Sequence, residues 1–355
     1  MKFYMAPMEG ITGYVFRNAV NAHFNESADK YFTPFIEPHV KKKGMTNRER
    51  NDVLPEHNVG INLVPQILTN SAEAFLMCEQ ELKAFGYKEL NINLGCPSPT
   101  VTTKGRGSGL LKEKARLDEM LAQIFDETEC EISIKTRIGY DDPDEWADIL
   151  DIYNKYPLKE LIIHPRVRDE FYAGAVHTDA FIYALDHSRH SLCYNGDICS
   201  AEDYERLLYV ISIGAYNGIM CTANDEKDAN VDKCRRMPYA VMIGRGMVAD
   251  PGLIKRLKIK TAKAASDNLE KGKLISAEEI RAFTDDLLNG YIELMSGETP
   301  VLHKMKEIWT WLIVGFPDKD KYLKRIVKSK SVAEYRIAAD EALKGLEEAQ
   351  ATRHS

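Results

Sequence analysis

The sequence predicts an α/β protein: a (β/α)8 TIM barrel over residues 1–254, followed by a small all-helical C-terminal domain over 255–355. Three observations carry that expectation. Short strand-like apolar segments alternate with segments of helix length, as in successive parallel βαβ units. Almost every strand segment ends in a polar or glycine-bearing turn, whereas an open doubly wound sheet would gather such residues at one switch point. Beyond residue 255 the pattern is helical, most clearly around His303 to Leu312.

In chain order, Lys2 to Ala6 is a short strand ending at Pro7-Met8-Glu9-Gly10, and a helix begins near Tyr14. Tyr31 to Ile36 is the second strand. Ile61 to Leu68 is the third, with Gln66 near its end, and Ser71 caps a helix that runs to about Phe85. In the fourth strand Leu90, Ile92 and Leu94 alternate with Asn91, Asn93 and Gly95, the period of a strand with one apolar and one polar face. It stops at Cys96-Pro97, because proline donates no ladder bond and biases the preceding residue towards an extended conformation. Glu131 to Ile138 is the fifth strand, with Ser133, Lys135 and Arg137 on one face and Ile132, Ile134 and Thr136 on the other. Lys159 to His164 and Ser191 to Tyr194 follow, ending in HPRVRDEFYAG and Asn195-Gly196-Asp197, and Ala240 to Ile243 ends in GRG. The apolar run ISIGAYNGIMC, between Tyr209 and Pro238, is one strand candidate too many. It is read as an insertion ahead of the last strand.

Composition excludes several classes. With 355 residues, 44% of them hydrophobic, the chain can bury a large core. No apolar run approaches the ~18 residues needed to span a bilayer, and the opening MKFYMAPMEG is too short in its apolar part for a signal peptide. A soluble, cytoplasmic protein with no membrane partner is expected. Seven scattered cysteines without a CxxC pair and nine histidines without HExxH spacing indicate neither a disulfide framework nor a metal site. Net charge is −7, unevenly spread: residues 255–355 hold 19 Lys+Arg against 16 Asp+Glu, and the rest hold 28 against 38. The surplus concentrates in KRLKIKTAK from Lys255 and KDKYLKRIVKSK from Lys319. A solvated helix face is the plainer reading of such runs.

The stretch Glu89 to Leu111 holds the strongest functional signal. Cys96 stands where a strand hands over to a loop, the place where α/β proteins carry chemistry. A buried thiol acting as a small hydrophobe is the plainer reading of a lone cysteine. Against it stand the two asparagines before Cys96 and the segment Lys104 to Gly109 after it, read as a mobile cationic loop able to approach an anion. Lys135, on the inward face of a strand, would be costly to bury unless it faced an anion or a polar ring edge. A structural ion pair with Glu9 or Asp197 is one account; a flavin, whose pyrimidine ring turns negative on reduction, is the other. Gln66 can bond the same ring edge, and His164 is nearly as well read as a core histidine. The turns Asn195-Gly196-Asp197 and Gly244-Arg245-Gly246 follow the last two strands, where such barrels build a phosphate site.

APMEG, LVPQIL, NINLGCP, KGRGSG, IKTRIG, HPRVRDEFYAG, NGD and MIGRG, in this order, resemble the tRNA-dihydrouridine synthases, the bacterial branch most closely. In the C-terminal part the resemblance rests on HKMKEIWTWL. It implies a barrel holding FMN, NADPH as reductant, a small helical domain for tRNA, and 5,6-dihydrouridine in tRNA as product. Carried over residue by residue, it assigns FMN contacts to Pro7, Met8, Glu9, Gln66, Lys135, His164, Asn195, Gly196, Asp197, Gly244 and Arg245. Cys96 becomes the catalytic acid and Asn93 a uracil contact. Arg166 and Arg168 match an arginine-rich turn and, with Lys104, are expected to bind substrate. A thiol with an ordinary pKa of ~8.5 is mostly protonated at neutral pH and suits that acid role. Two rivals are an FMN barrel dehydrogenase acting on a free pyrimidine or other small molecule and a non-catalytic tRNA-binding protein. A monomer engaging one tRNA is the simplest assembly.

Overall fold

The computed structural model describes residues 1–24, 28–38, 44–214, 237–263 and 275–354. Among these described residues nine short strands run parallel: β1 (Lys2–Met5), β2 (Lys30–Phe32), β3 (Leu63–Val64), β4 (Gln66–Ile67), β5 (Glu89–Leu94), β6 (Glu131–Gly139), β7 (Glu160–Val167), β8 (Ser191–Tyr194) and β9 (Ala240–Ile243). Their hydrogen-bonded order is β3-β2-β1-β9-β8-β7-β6-β5-β4. β3 and β4 are the two halves of one strand interrupted by Pro65, so the ends of this order meet and the ring closes as an eight-stranded barrel. Pro65 has no N–H to donate. Its carbonyl still accepts from Asn91 N at 2.9 Å, and the Thr33 hydroxyl accepts from Gln66 N at 2.9 Å.

The helices alternate with these strands at the places the periodicity predicts. Ser71 caps Ala72–Ala84 by accepting from Ala74 N at 3.2 Å. The second strand is shorter than expected, ending at Phe32, and Ile36 adds only a single bridge to Ile67. The apolar run from Tyr209 is no strand where it is described: Tyr209 to Gly214 close the helix Ala201–Gly214. β9 lies between β8 and β1 and is the closing strand. Residues 215–236, the rest of that run, lie outside the described residues.

By internal contacts the chain divides into two units, Met1–Pro7 with Lys30–Ile198 and Glu202–Ile243, and Met8–Asp29 with Cys199–Ala201 and Gly244–Ser355. The first holds every strand. Tyr4, Phe32, Val64, Ile162, Cys193 and Met242 form a buried cluster drawn from alternate positions of its strands, each large side chain stabilising by roughly 1.5–3 kcal/mol. Thr136 faces the other way, its hydroxyl 2.9 Å from that of Tyr153 on the helix Trp146–Tyr153. At the amino ends of the strands, Lys30 Nζ lies 2.9 Å from Glu89 and 2.7 Å from Glu160. Tyr4 donates its hydroxyl proton to Glu160, and Lys159 pairs with Glu89 at 2.9 Å and also with Glu131.

The second unit is helical. Ser276 and Glu279 form a reciprocal capping box at the start of Ala277–Leu294. Phe16 and Phe24 meet Phe283 of that helix edge-on, centroids 5.7 and 5.6 Å apart. The helix Glu298–Leu312 buries Trp309, whose indole N–H donates to the Tyr335 hydroxyl at 2.7 Å. Among the described residues no helix is long and apolar enough to cross a membrane.

Candidate active site

Within the barrel unit, the inward positions of three neighbouring strands form a chain of amides. Gln66 Nε2 donates to Asn91 Oδ1 at 2.8 Å, Asn91 Nδ2 to Ser133 Oγ at 2.9 Å, and Asn93 Nδ2 to Gln66 Oε1 at 2.7 Å. Asn93 Oδ1 in turn accepts from Gly95 N at 3.1 Å and Cys96 N at 2.9 Å. An amide nitrogen carries two protons, so Asn93 and Gln66 each retain one N–H beyond these bonds. Asn93 thus fixes the backbone at Cys96, a role that its expected uracil contact did not anticipate. Cys96 itself is partly exposed.

The glycine-rich segment after Cys96 is built for close packing, a role that its reading as a mobile cationic loop did not include. Gly107 sits at φ +55°, and a Cβ there would come within 2.8 Å of the Cys96 carbonyl oxygen; one at Gly109 would lie 2.6 Å from that of Thr102. Ser108 donates both its N–H, at 3.1 Å, and its hydroxyl, at 2.8 Å, to the Cys96 carbonyl. The cations are held as well: Arg106 pairs with Glu37, and Lys104 Nζ lies 3.7 Å from the same carboxylate.

Lys135 stands beside Asn93 in the ladder. It has neither Glu9 nor Asp197 as an ion-pair partner, and no hydrogen bond or ion pair among the described residues. Burial pulls its ammonium down to about 8, with the Arg137 guanidinium adding to the effect. Arg137, two residues on, is fully buried and was not singled out in the sequence, although it shares the inward face of Lys135. Its Nε donates to Gly95 O at 3.0 Å, Nη1 to Val167 O at 2.7 Å and Nη2 to Phe171 O at 2.5 Å. It therefore ties the Cys96 turn to the loop after β7.

The end of β7 carries His164 and Arg166, and the loop after it opens with Arg168. His164 is buried, 3.3 Å from Arg166 Nη1, and its ring stacks on Tyr172 with centroids 6.0 Å apart. Arg166 is fully buried and bonds Asp197 with two nitrogens, at 2.9 and 2.6 Å, and the Ala173 and Gly174 carbonyls besides. Its hydrogen bonds to Asp197 raise its pKa further. Arg166 thus organises the mouth from within and joins His164 to the NGD turn. Arg168 bonds Thr102 Oγ1 at 3.2 Å, pairs with Asp169, and lies over the Tyr140 and Phe171 rings at 5.3 and 5.4 Å. Phe171 is held at φ 48°, and Tyr172 beside it is 56% exposed.

At the NGD turn, Asn195 Nδ2 donates to Met242 O at 2.9 Å and Asn195 N to Ile163 O at 2.9 Å, so that backbone N–H belongs to the ladder. A Cβ at Gly196 would meet the Tyr194 hydroxyl at 2.7 Å. Pro7 ends the first segment of the barrel unit. Met8, Glu9, Gly244 and Arg245 belong to the helical unit, where Met8 N donates to Thr12 Oγ1 at 2.8 Å and Gly244 precedes the short helix Arg245–Ala249.

A parallel barrel with a thiol, a half-buried lysine unpaired among the described residues and a chain of amides at the carboxyl ends of its strands defines a barrel protein of the kind that does chemistry on a bound group at its mouth. The dihydrouridine synthase family model matches residues 4–227, and the chain belongs to that family. It is 34% identical over 170 residues to a probable tRNA-dihydrouridine synthase 2 of Bacillus subtilis (strain 168), covering 47% of this chain and 51% of the relative. It is 32% identical over 209 residues to a probable tRNA-dihydrouridine synthase of Staphylococcus aureus (strain COL), covering 55% of this chain and 60% of the relative. The chain thus spans about half to three-fifths of the length of these relatives.

Proposed function

We propose that the protein is a flavin-dependent tRNA-dihydrouridine synthase that uses FMN and NADPH to reduce the C5–C6 bond of a uridine in tRNA. The observation that carries the reading is Lys135: a half-buried ammonium without an ion-pair partner among the described residues, beside an amide chain with N–H groups to spare, fits the polar edge of a flavin ring. Gln66, Lys135 and His164 would hold the ring, and the NGD turn lies where such barrels take a phosphate. Met8, Glu9, Gly244 and Arg245 are the contacts assigned to the helical unit. When bound, the flavin supplies the hydride for one carbon of the uracil double bond.

The rest is the chain's own chemistry. Cys96 Sγ holds the proton for the other carbon, and Asn93 fixes the turn from which that thiol projects. Asn93's remaining N–H is available to a uracil carbonyl. Arg137 and Arg166 keep the flanking loops in place. A uridine must leave its stack to reach such a site, at a cost of a few kcal/mol offset by binding elsewhere on the tRNA.

The helix Lys319–Lys328 is the source of that binding. Lys319, Lys324, Lys328 and Lys330 are exposed, and none of them pairs with an acid among the described residues; Arg325 pairs with Glu341. In the first basic run, by contrast, Arg256 pairs with Asp250 and Lys258 with Asp29. A small-molecule dehydrogenase would have no use for the free lysines. The test is dihydrouridine formation on unmodified tRNA with NADPH, after a visible spectrum of the purified protein. New dihydrouridine with a flavin spectrum supports the reading. NADPH oxidation without product on any tRNA, together with reduction of a free pyrimidine, overturns it.

A further inference from the structure

In the helical unit, the turn that follows the first strand is braced by several hydrogen bonds, one of them from a distant side chain. The Met8 carbonyl accepts from Ile11 N at 3.0 Å and Thr12 N at 3.1 Å, and Met8 N donates to Thr12 Oγ1 at 2.8 Å. The Thr12 carbonyl accepts from Nη1 of the buried Arg17 at 2.9 Å. Gly10 sits at φ +79°, a left-handed conformation that favours glycine. Its carbonyl takes a hydrogen bond from Lys304 Nζ, 294 residues further along the chain.

Lys304 stands on Glu298–Leu312, a helix with Val301, Leu302, Met305, Ile308, Trp309 and Leu312 buried along one side. Glu307, one turn on, holds the ammonium at 3.1 Å. The same helix packs against Arg245–Ala249. One helix therefore bonds Gly10, next to Met8–Glu9, and packs against the short helix that begins at Arg245, the two places in this unit to which cofactor contacts are assigned.

The geometry points to Lys304 as a positioning residue for cofactor binding: its bond to Gly10 O sets the Met8–Glu9 turn, so FMN affinity depends on a side chain of the C-terminal helices. This rests on the FMN reading given above. A charged donor on a backbone carbonyl is stronger than a neutral one, and the turn has no other brace at Gly10 among the bonds described. Lys306, two residues on, provides the internal control, since its Nζ donates to Ser329 O at 2.6 Å and fastens the same helix elsewhere.

The experiment titrates FMN into full-length apoprotein, follows flavin fluorescence, and takes the urea midpoint of each variant. Lys304→Met should raise the Kd for FMN at least tenfold and Lys304→Arg less than threefold. Lys306→Met should lower the urea midpoint and leave the Kd unchanged. If Lys304→Met fails to fold, Glu307→Gln, which frees the ammonium without removing it, should raise the Kd severalfold. Wild-type affinity in Lys304→Met, or in Glu307→Gln where that variant replaces it, overturns the proposal alone, as does equal weakening by Lys306→Met. A wild-type chain that takes up no FMN overturns the cofactor reading and the proposal with it.

Discussion

The two ends of the barrel treat charge in opposite ways. At the amino ends of the strands every charge in the cluster has a partner: Glu160 pairs with Lys30 and accepts from the neutral Tyr4, Lys30 pairs with Glu89, Glu89 with Lys159 and Lys159 with Glu131. At the carboxyl ends Lys135 has none among the described residues, with Asn93 beside it in the ladder and the Arg137 charge nearby. A buried charge without a partner costs stability. The amino end therefore compensates the charges it desolvates, and the carboxyl end leaves one without a compensating charge.

The largest effect expected on this contrast is at the thiol. Cys96→Ala should keep the flavin spectrum and lose roughly 10²–10⁴-fold in dihydrouridine formation, scored by nucleoside analysis of the tRNA; near-normal turnover would remove Cys96 as the acid. At the opposite end, Glu160→Gln should cost about 3 kcal/mol in urea unfolding, because it leaves Lys30 and Tyr4 short of a buried acceptor. Its flavin content should not change, and a loss of flavin there would break the division of labour. Lys135→Met should have the crossed outcome of a functional lysine: apoprotein more stable by about 1 kcal/mol, FMN bound more weakly. Apoprotein destabilised by that change would mean the lysine has a structural partner.

The pH dependence sharpens the point further. Lys135 is pulled down to about 8, and an acceptor bound to its ammonium raises that value again. FMN affinity should be flat below pH 8 and fall as pH rises through it, by at most tenfold per unit. For the apoprotein the sign reverses: between about 8 and the ordinary lysine range the unfolded chain holds the extra proton, so this residue's penalty on stability fades with rising pH. An FMN affinity independent of pH between 7 and 9.5 would dissociate Lys135 from the cofactor. Smallest of all, alanine at Lys319, Lys324 and Lys328 together should raise the KM for tRNA severalfold and flatten its salt dependence, leaving NADPH oxidation as it was.

The barrel was legible because period-2 alternation and strand-ending turns are local signals. Leu90 to Gly95 announced both its faces, and Ala240 to Ile243 its place as the last strand. The partners of the charges were not legible, because they come from distant parts of the chain. Glu37 is 69 residues from Arg106, and nothing in KGRGSG says that its cations are held or that its glycines pack against Cys96 and Thr102. Arg137 carried the one signal that could have found it, an inward position two residues from Lys135. Arg166, expected at the substrate, is turned inward because Asp197 and two carbonyls meet it there.

Pro65 gives the barrel a seam. Seven of its staves are single strands, while the eighth is two dipeptides on either side of a residue without an N–H, one paired to β2 and the other to β5. A stave broken by a residue without an N–H is held by fewer continuous ladder bonds than its neighbours, so amide exchange should be fast there. Gln66 is the residue immediately after the gap. Its side chain accepts from Asn93, which in turn holds the Cys96 N–H, so two hydrogen bonds separate the seam in the barrel wall from the backbone that aims the thiol.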